Sequence, residues 1–204
     1  MEELRQPSLE QVQEAYKQAE NSPEIQTLLR NLYGNAVLAK QPDNRPVTER
    51  IKTFEDACRE LGENHPMIIA YMQLKEAETQ TLLPIYDNAD IVAYLKLRII
   101  CAALNEGWVP QFTEDEWRYY PYFWLYTQDE IDEMKNDEKQ SRCLRPIDDY
   151  RTASAGFAFA NSGSAPSYTA EHIGSRLCLK SDTLAVYCGK QFIDLWADFY
   201  LIRK

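Results

Sequence analysis

Apolar residues recur at helical spacing through most of this chain. Leu9, Val12, Tyr16 and Ala19 form a first stripe, with the three-to-four-residue period of a helix that buries one face. Ser8 and Gln11 stand where a capping box would open that helix. Asn21, Ser22 and Pro23 end it and begin a second, in which Ile25, Leu28, Leu29 and Leu32 lead to Gly34, a residue suited to a helix stop. The pattern predicts an N-terminal helical hairpin over residues 1–40. Lys40 to Pro46 contains two prolines with Asp43 and Asn44 and reads as a linker, which leaves residues 47–204 as the main domain.

In that domain Thr48 or Thr53 is placed to cap a helix carrying Ile51, Phe54, Ala57, Cys58 and Leu61, closed by Gly62. Pro66 suits the first turn of the next helix, through Ile69, Met72 and Leu74, with a turn near Pro84. Asp87 or Asn88 would cap a helix from Ile91 to Leu104 that is apolar on most faces and stops at Gly107; such a helix belongs at the centre of a fold. Thr113 with Glu116, and Thr127 with Glu130, repeat the capping-box signature and predict two more helices with acidic first turns. Residues 152–168 are small and lack a helical period, so they read as a flexible loop, with a short hairpin where Phe157 and Phe159 alternate with alanine. Arg176 to Lys180 alternates polar and apolar, as a short strand or extended lead-in would. Ser181 or Asp182 then caps a terminal helix bearing Leu184, Tyr187, Cys188, Phe192, Leu195, Trp196 and Phe199. The fold class expected is mainly α: a helical domain with an N-terminal helical hairpin and room for a short β-hairpin or strand near 155–180.

Composition narrows the function more by exclusion than by assignment. The 204 residues are 45% hydrophobic, as in folded rather than disordered chains. No apolar run reaches the ~18–20 residues of a membrane span, and Met-Glu-Glu-Leu-Arg is unlike a secretion signal, so the expectation is a cytoplasmic protein with no membrane partner. A net charge of −10 disfavours general nucleic-acid binding. Residues 151–204 nevertheless carry six basic against four acidic side chains, which leaves a local basic groove open. The five cysteines read as buried thiols, because His172, Cys178 and Cys188 include no closely spaced chelating pair. No metal site or cofactor is expected. The glycines at 156, 163 and 174 are too far apart to cradle a phosphate. A Ser-His-Asp site would have to use His172, and Glu114, Glu116, Asp129 and Glu130 already have a role at helix starts, so no catalytic residues are assigned.

The strongest local feature is nine aromatic side chains between Trp108 and Tyr126. Each buries roughly 150–250 Å² when packed, and soluble monomers rarely expose a patch of more than a few hundred Å². The tract must be core, partner surface or both, and the terminal helix is the element expected to pack on it. Tyr119, Tyr120, Tyr122 and Trp124 are the candidate anchors of a binding surface, with Arg176 and Lys180 as polar contacts. A protein partner or self-association is the expected use of such a surface. Two alternatives stay open: a local nucleic-acid binder using Arg176, Lys180 and Lys190, and an enzyme with an anion site under the 152–168 loop, in which Ser175, Arg176 and Lys180 would hold the anion and Glu171 or His172 would move protons.

Three segments carry a resemblance: Arg50 to Gly62; Leu104 to Phe112 leading to Tyr119-Tyr-Pro-Tyr-Phe-Trp124; and Gly174 to Ser181 followed by Gly189 to Asp198. Together they resemble an uncharacterised family of small proteins from gut anaerobic bacteria and their phages or mobile elements, over about residues 47–204. The resemblance implies an accessory role in a phage or mobile element and supplies no catalytic residues.

Overall fold

The computed structural model describes residues 7–34, 43–80, 89–111, 113–165 and 175–204. The chain divides into two compact units, Met1–Asn44 and Arg45–Lys204. In the first, α1 (Leu9–Gln18) opens with the expected capping box: the Ser8 hydroxyl accepts from Gln11 N–H and the Gln11 side chain accepts from Ser8 N–H. α2 (Pro23–Tyr33) starts on Pro23 and stops at Gly34, whose φ of 63° is one that glycine adopts freely. Gln26 Nε2 donates to the Tyr16 carbonyl, and the Arg30 guanidinium lies over the Tyr16 ring. Ile25, Leu28 and Leu32, the apolar stripe of α2, are exposed.

Among the described residues the second unit is mainly helical with one small antiparallel sheet. After a single turn, α3 (Val47–Arg50), comes α4 (Phe54–Leu61), which is capped by Thr53 paired with Asp56 and closed by Gly62 at φ 82°. α5 (Pro66–Gln80) follows, then α6 (Ala89–Leu104); the expected caps Asp87 and Asn88 and the turn near Pro84 lie outside the described residues. α6 is the central helix, with Ala93, Leu97, Ile99, Ile100, Cys101, Ala103 and Leu104 all buried, and it packs on α4, α5 and the last helix of the chain. An element apolar on most faces is stable in water only when its neighbours cover those faces.

Two expectations are corrected by the sheet. Thr113 and Glu116 form a turn rather than opening a helix: Glu116 N–H bonds the Thr113 carbonyl, and the Glu116 carboxylate accepts from Gln111 N–H. The aromatic tract beyond them is a strand, β1 (Arg118–Tyr126). Aromatic side chains favour a pleated surface, and Pro121 would remove a hydrogen bond from a helix interior. The small-residue stretch expected to be a flexible loop contains the middle strand, β3 (Gly156–Ala165), with Phe157, Ala158 and Phe159 buried. Between them in sequence lie α7 (Gln128–Glu133), capped by Thr127 and Glu130 as expected, α8 (Asn136–Ser141) and the short β2 (Arg145–Pro146). The strand order is β1-β3-β2, all antiparallel, and one extra residue on β3, Ala160, makes a bulge opposite Tyr122 and Phe123.

Small residues make β3 possible because three neighbouring side chains press on it. The Tyr122 ring lies where a side chain at Gly163 would go, and Ile131 and Leu144 crowd Gly156. The Arg176–Lys180 stretch is a 3-10 turn over Ser175–Leu177, after which Leu179 bridges to Tyr119. The expected terminal helix is two: α9 (Asp182–Gln191), capped by Ser181, and α10 (Ile193–Tyr200), with the break at Phe192. Both pack on the sheet. Phe123 sits 4.7 Å from Phe157 and 5.6 Å from Trp196, ring centre to ring centre, and Trp196 is 1% exposed. The aromatic strand and the terminal helices thus share one core.

Candidate functional site

β1 is an edge strand, and among the described residues its outer edge is open along half its length. Tyr119 exchanges both backbone hydrogen bonds with Leu179, at 3.0 and 2.9 Å, on the side away from β3. Alternate residues of a strand direct their backbone groups to the same side, so Pro121, Phe123 and Leu125 direct theirs outward too. The partner strand agrees: Phe159, opposite Phe123, sends its N–H to the Arg142 carbonyl at 2.9 Å, away from β1. Pro121 has no N–H to offer. Among the described residues nothing pairs with the outward N–H and C=O groups of Phe123 and Leu125.

Beside this edge is an apolar cleft of about 290 Å³. Pro121, Phe123 and Leu125 form one wall, Tyr200 and Leu201 at the end of α10 the other, and Tyr120 and Tyr122 also reach it. Leu125 is 47% and Tyr200 41% exposed at its rim. Burial first of all pushes the Tyr120 and Tyr200 hydroxyls up to about 12, so both are neutral donors near neutral pH.

The electrostatic setting is one-sided. Residues 113–138 carry nine carboxylates against two basic side chains, Arg118 and Lys135. Arg118 is wholly buried at the start of the strand. The turn holding Glu114, Asp115 and Glu116 precedes β1, and α7 with Asp129, Glu130, Asp132 and Glu133 follows it, so acid brackets the open edge at both ends. Glu130 is committed to its cap, where the Thr127 backbone N–H holds its carboxyl below the usual range. Glu114, Asp115, Asp129 and Glu133 have no ion-pair partner among the described residues.

The structure divides the six residues selected from the sequence. Tyr119 is half-buried against the main core. Tyr120 is buried with Cys178 in a small cluster that also takes in Trp108 and Tyr122, with the Arg118 guanidinium beside it. Tyr122 lies across Gly163, and Trp124 is 60% exposed. Arg176 is exposed on the 3-10 turn and lines a different cleft. Lys180 is held: its Nζ pairs with Glu106 at 2.7 Å, and its backbone N–H donates to Asn105 Oδ1. Sequence reasoning missed Phe123, Leu125, Tyr200 and Leu201 as site residues. The available signal was Pro121, because a proline inside a strand marks an edge. Glu171 and His172 lie outside the described residues. No group of three metal-ligating side chains occurs among the described residues, and none of their helices is long and apolar enough to cross a membrane.

Compared with protein-family models, curated proteins and solved structures, the chain matches none of them.

Proposed function

We propose that this is a non-enzymatic binding or assembly protein that captures an extended segment of a partner protein along the outer edge of β1. The observation that carries the reading is the open edge: outward backbone groups at Phe123 and Leu125 next to an apolar cleft. Strand addition draws affinity from main-chain hydrogen bonds and specificity from pockets for alternate side chains. The acidic brackets select the occupant. A second copy pairing antiparallel would lay Glu114-Asp115-Glu116 of one chain beside the acidic α7 of the other, whereas a segment with basic residues flanking an apolar centre meets opposite charge at both ends. The resemblance of residues 47–204 adds a setting, an accessory of a phage or mobile element. The nucleic-acid alternative loses Lys180, whose charge is matched by Glu106.

Selection from a display library of short random peptides tests the reading, with Leu125→Pro as the diagnostic variant. Proline at 125 removes one outward N–H and no bond to β3. Selected peptides should alternate apolar residues between Lys or Arg flanks, bind the parent protein, weaken as salt rises, and lose binding to Leu125→Pro and Trp124→Ala. Peptides that bind Leu125→Pro as well as the parent, or a selection that enriches nothing, would overturn it.

A further inference from the structure

A second cleft, independent of the β1 edge, has the opposite electrostatic character. It encloses about 400 Å³ and is lined by His65 at the start of α5, Arg98 and Asn105 from α6 and the residue after it, Trp108 and Pro110 beyond, and Arg176 on the 3-10 turn. Two arginines and a histidine converge there, and no carboxylate is among the described residues that line it. That is unusual for a chain of net charge −10. Several arginines elsewhere are neutralised: Arg50 holds Glu60 and Glu106, Arg142 holds Glu138, Arg145 holds Asp194, and Arg203 holds Asp198. Arg98 and Arg176 hold no carboxylate among the described residues, and Arg98 rests its guanidinium over the Tyr94 ring at 5.8 Å.

The cleft is also built rather than incidental. Asn105, 5% exposed, ties its wall together by donating to the Cys178 carbonyl at 2.9 Å and accepting from Lys180 N–H at 3.0 Å. His65 Nδ1 accepts from the Met67 backbone N–H at 3.3 Å, which leaves Nε2 to carry the ring proton of the neutral side chain. Trp108 and Pro110 add an apolar wall beside these donors.

We infer that this cleft binds a small organic phosphate, with the phosphoryl group between Arg98 and Arg176, His65 Nε2–H as a further donor, and a ring of the ligand against Trp108. Planar guanidinium forks suit phosphate oxygens, and the volume is within the ~300–1,000 Å³ of small-molecule pockets.

The test is calorimetric titration at constant ionic strength with pyrophosphate, adenosine 5′-monophosphate, adenosine and an oligothymidylate strand. The two small anions should bind saturably with quenching of tryptophan emission by the nucleotide, and adenosine should not bind. Arg98→Gln and Arg176→Gln should each weaken the nucleotide by about tenfold or more, while Arg151→Gln, at an exposed arginine elsewhere, should leave it unchanged. Arg176 is exposed, so its variant reports on binding even if Arg98→Gln perturbs folding. Absence of saturable binding by both small anions up to about 10 mM, or equal binding by the Arg176→Gln variant, would sink the inference. Binding by the oligothymidylate alone would replace it with a nucleic-acid track.

Discussion

Gly189 is where α9 meets the aromatic strand, and changing it to alanine sets two opposing effects against each other. A methyl at this buried position would stand 2.7 Å from Pro121 Cβ and 2.8 Å from two ring carbons of Phe159, whereas ordinary contact begins at 3.4 Å. Neither neighbour yields easily: the proline ring is rigid, and Phe159 is 5% exposed with Phe123 edge-on at 6.2 Å. Helix propensity acts in the other direction, because alanine in a helix interior is better than glycine by about 0.8–1 kcal/mol. Overpacking a filled core costs typically ~1–3 kcal/mol, and three contacts below 3.0 Å place this site in the upper part of that range, about 2–3 kcal/mol, so the net expectation is a loss of roughly 1–2 kcal/mol, at about 2–4 °C of Tm per kcal/mol for a chain of this size. Urea unfolding followed by tryptophan emission measures it, with an unchanged slope showing that the same surface is exposed. A G189A protein as stable as the parent, or more so, would refute the claim that strand and helix are packed to contact here. In the same assay Phe159→Leu should cost less in the G189A background than in the parent, with a coupling of at least about 0.5 kcal/mol.

Other expectations follow from the same packing. Asn105→Ala strands the Cys178 carbonyl and the Lys180 N–H and should cost about 2–4 kcal/mol. The neighbouring Glu106→Gln, at a carboxylate 41% exposed whose partner Arg50 keeps Glu60, should cost less than about 1 kcal/mol; equal losses in urea titration would contradict the distinction. Burial first of all raises Cys178 from 9.0 to about 11 and Tyr120 from 10.0 to about 12. The folded state therefore favours their protonated forms, and their contribution is complete below pH 9 and lost as pH rises through 11 and 12. The urea midpoint should hold on the neutral side of pH 9 and fall above it, so a flat profile to pH 11 would count against this burial. Trp124→Ala should change stability by less than about 0.5 kcal/mol, as exposed positions do; a larger loss by thermal unfolding would mean that Trp124 belongs to the core.

Helix ends were the most legible part of this chain, because caps are local. Ser8 with Gln11, Thr127 with Glu130, and the glycines at 34 and 62 act within a turn of their own position, so their chemistry determines the outcome. Thr113 with Glu116 shows the limit: the same spacing precedes residues that gain more from the sheet than from a helix, and the carboxylate turns back to Gln111 instead. β3 was harder to read. Its second half offers only small residues, and what makes it a strand is the Tyr122 ring over Gly163 and the pairing with β1, both long-range. The division of the terminal helix at Phe192 has no proline to announce it, and Gly189 lies inside α9 rather than at the break. Of the candidate site, the tyrosines were visible as a cluster. Which of them turns inward was settled by the alternation of β1 and by Leu179, a contact that sequence spacing does not encode.

The order of synthesis gives the carboxylates around β1 a second consequence. The strand leaves the ribosome before β3 exists to pair with it and well before α9 and α10 exist to cover its apolar side. In that interval nascent chains present a bare aromatic ribbon, the kind of segment that associates edge to edge. Like-charged gatekeepers at both of its ends hold neighbouring ribbons apart until the C-terminal helices are made. Substitutions that neutralise Glu114, Asp115, Asp129 and Glu133 should therefore lower the soluble yield of newly made protein while leaving the finished fold almost as stable as before.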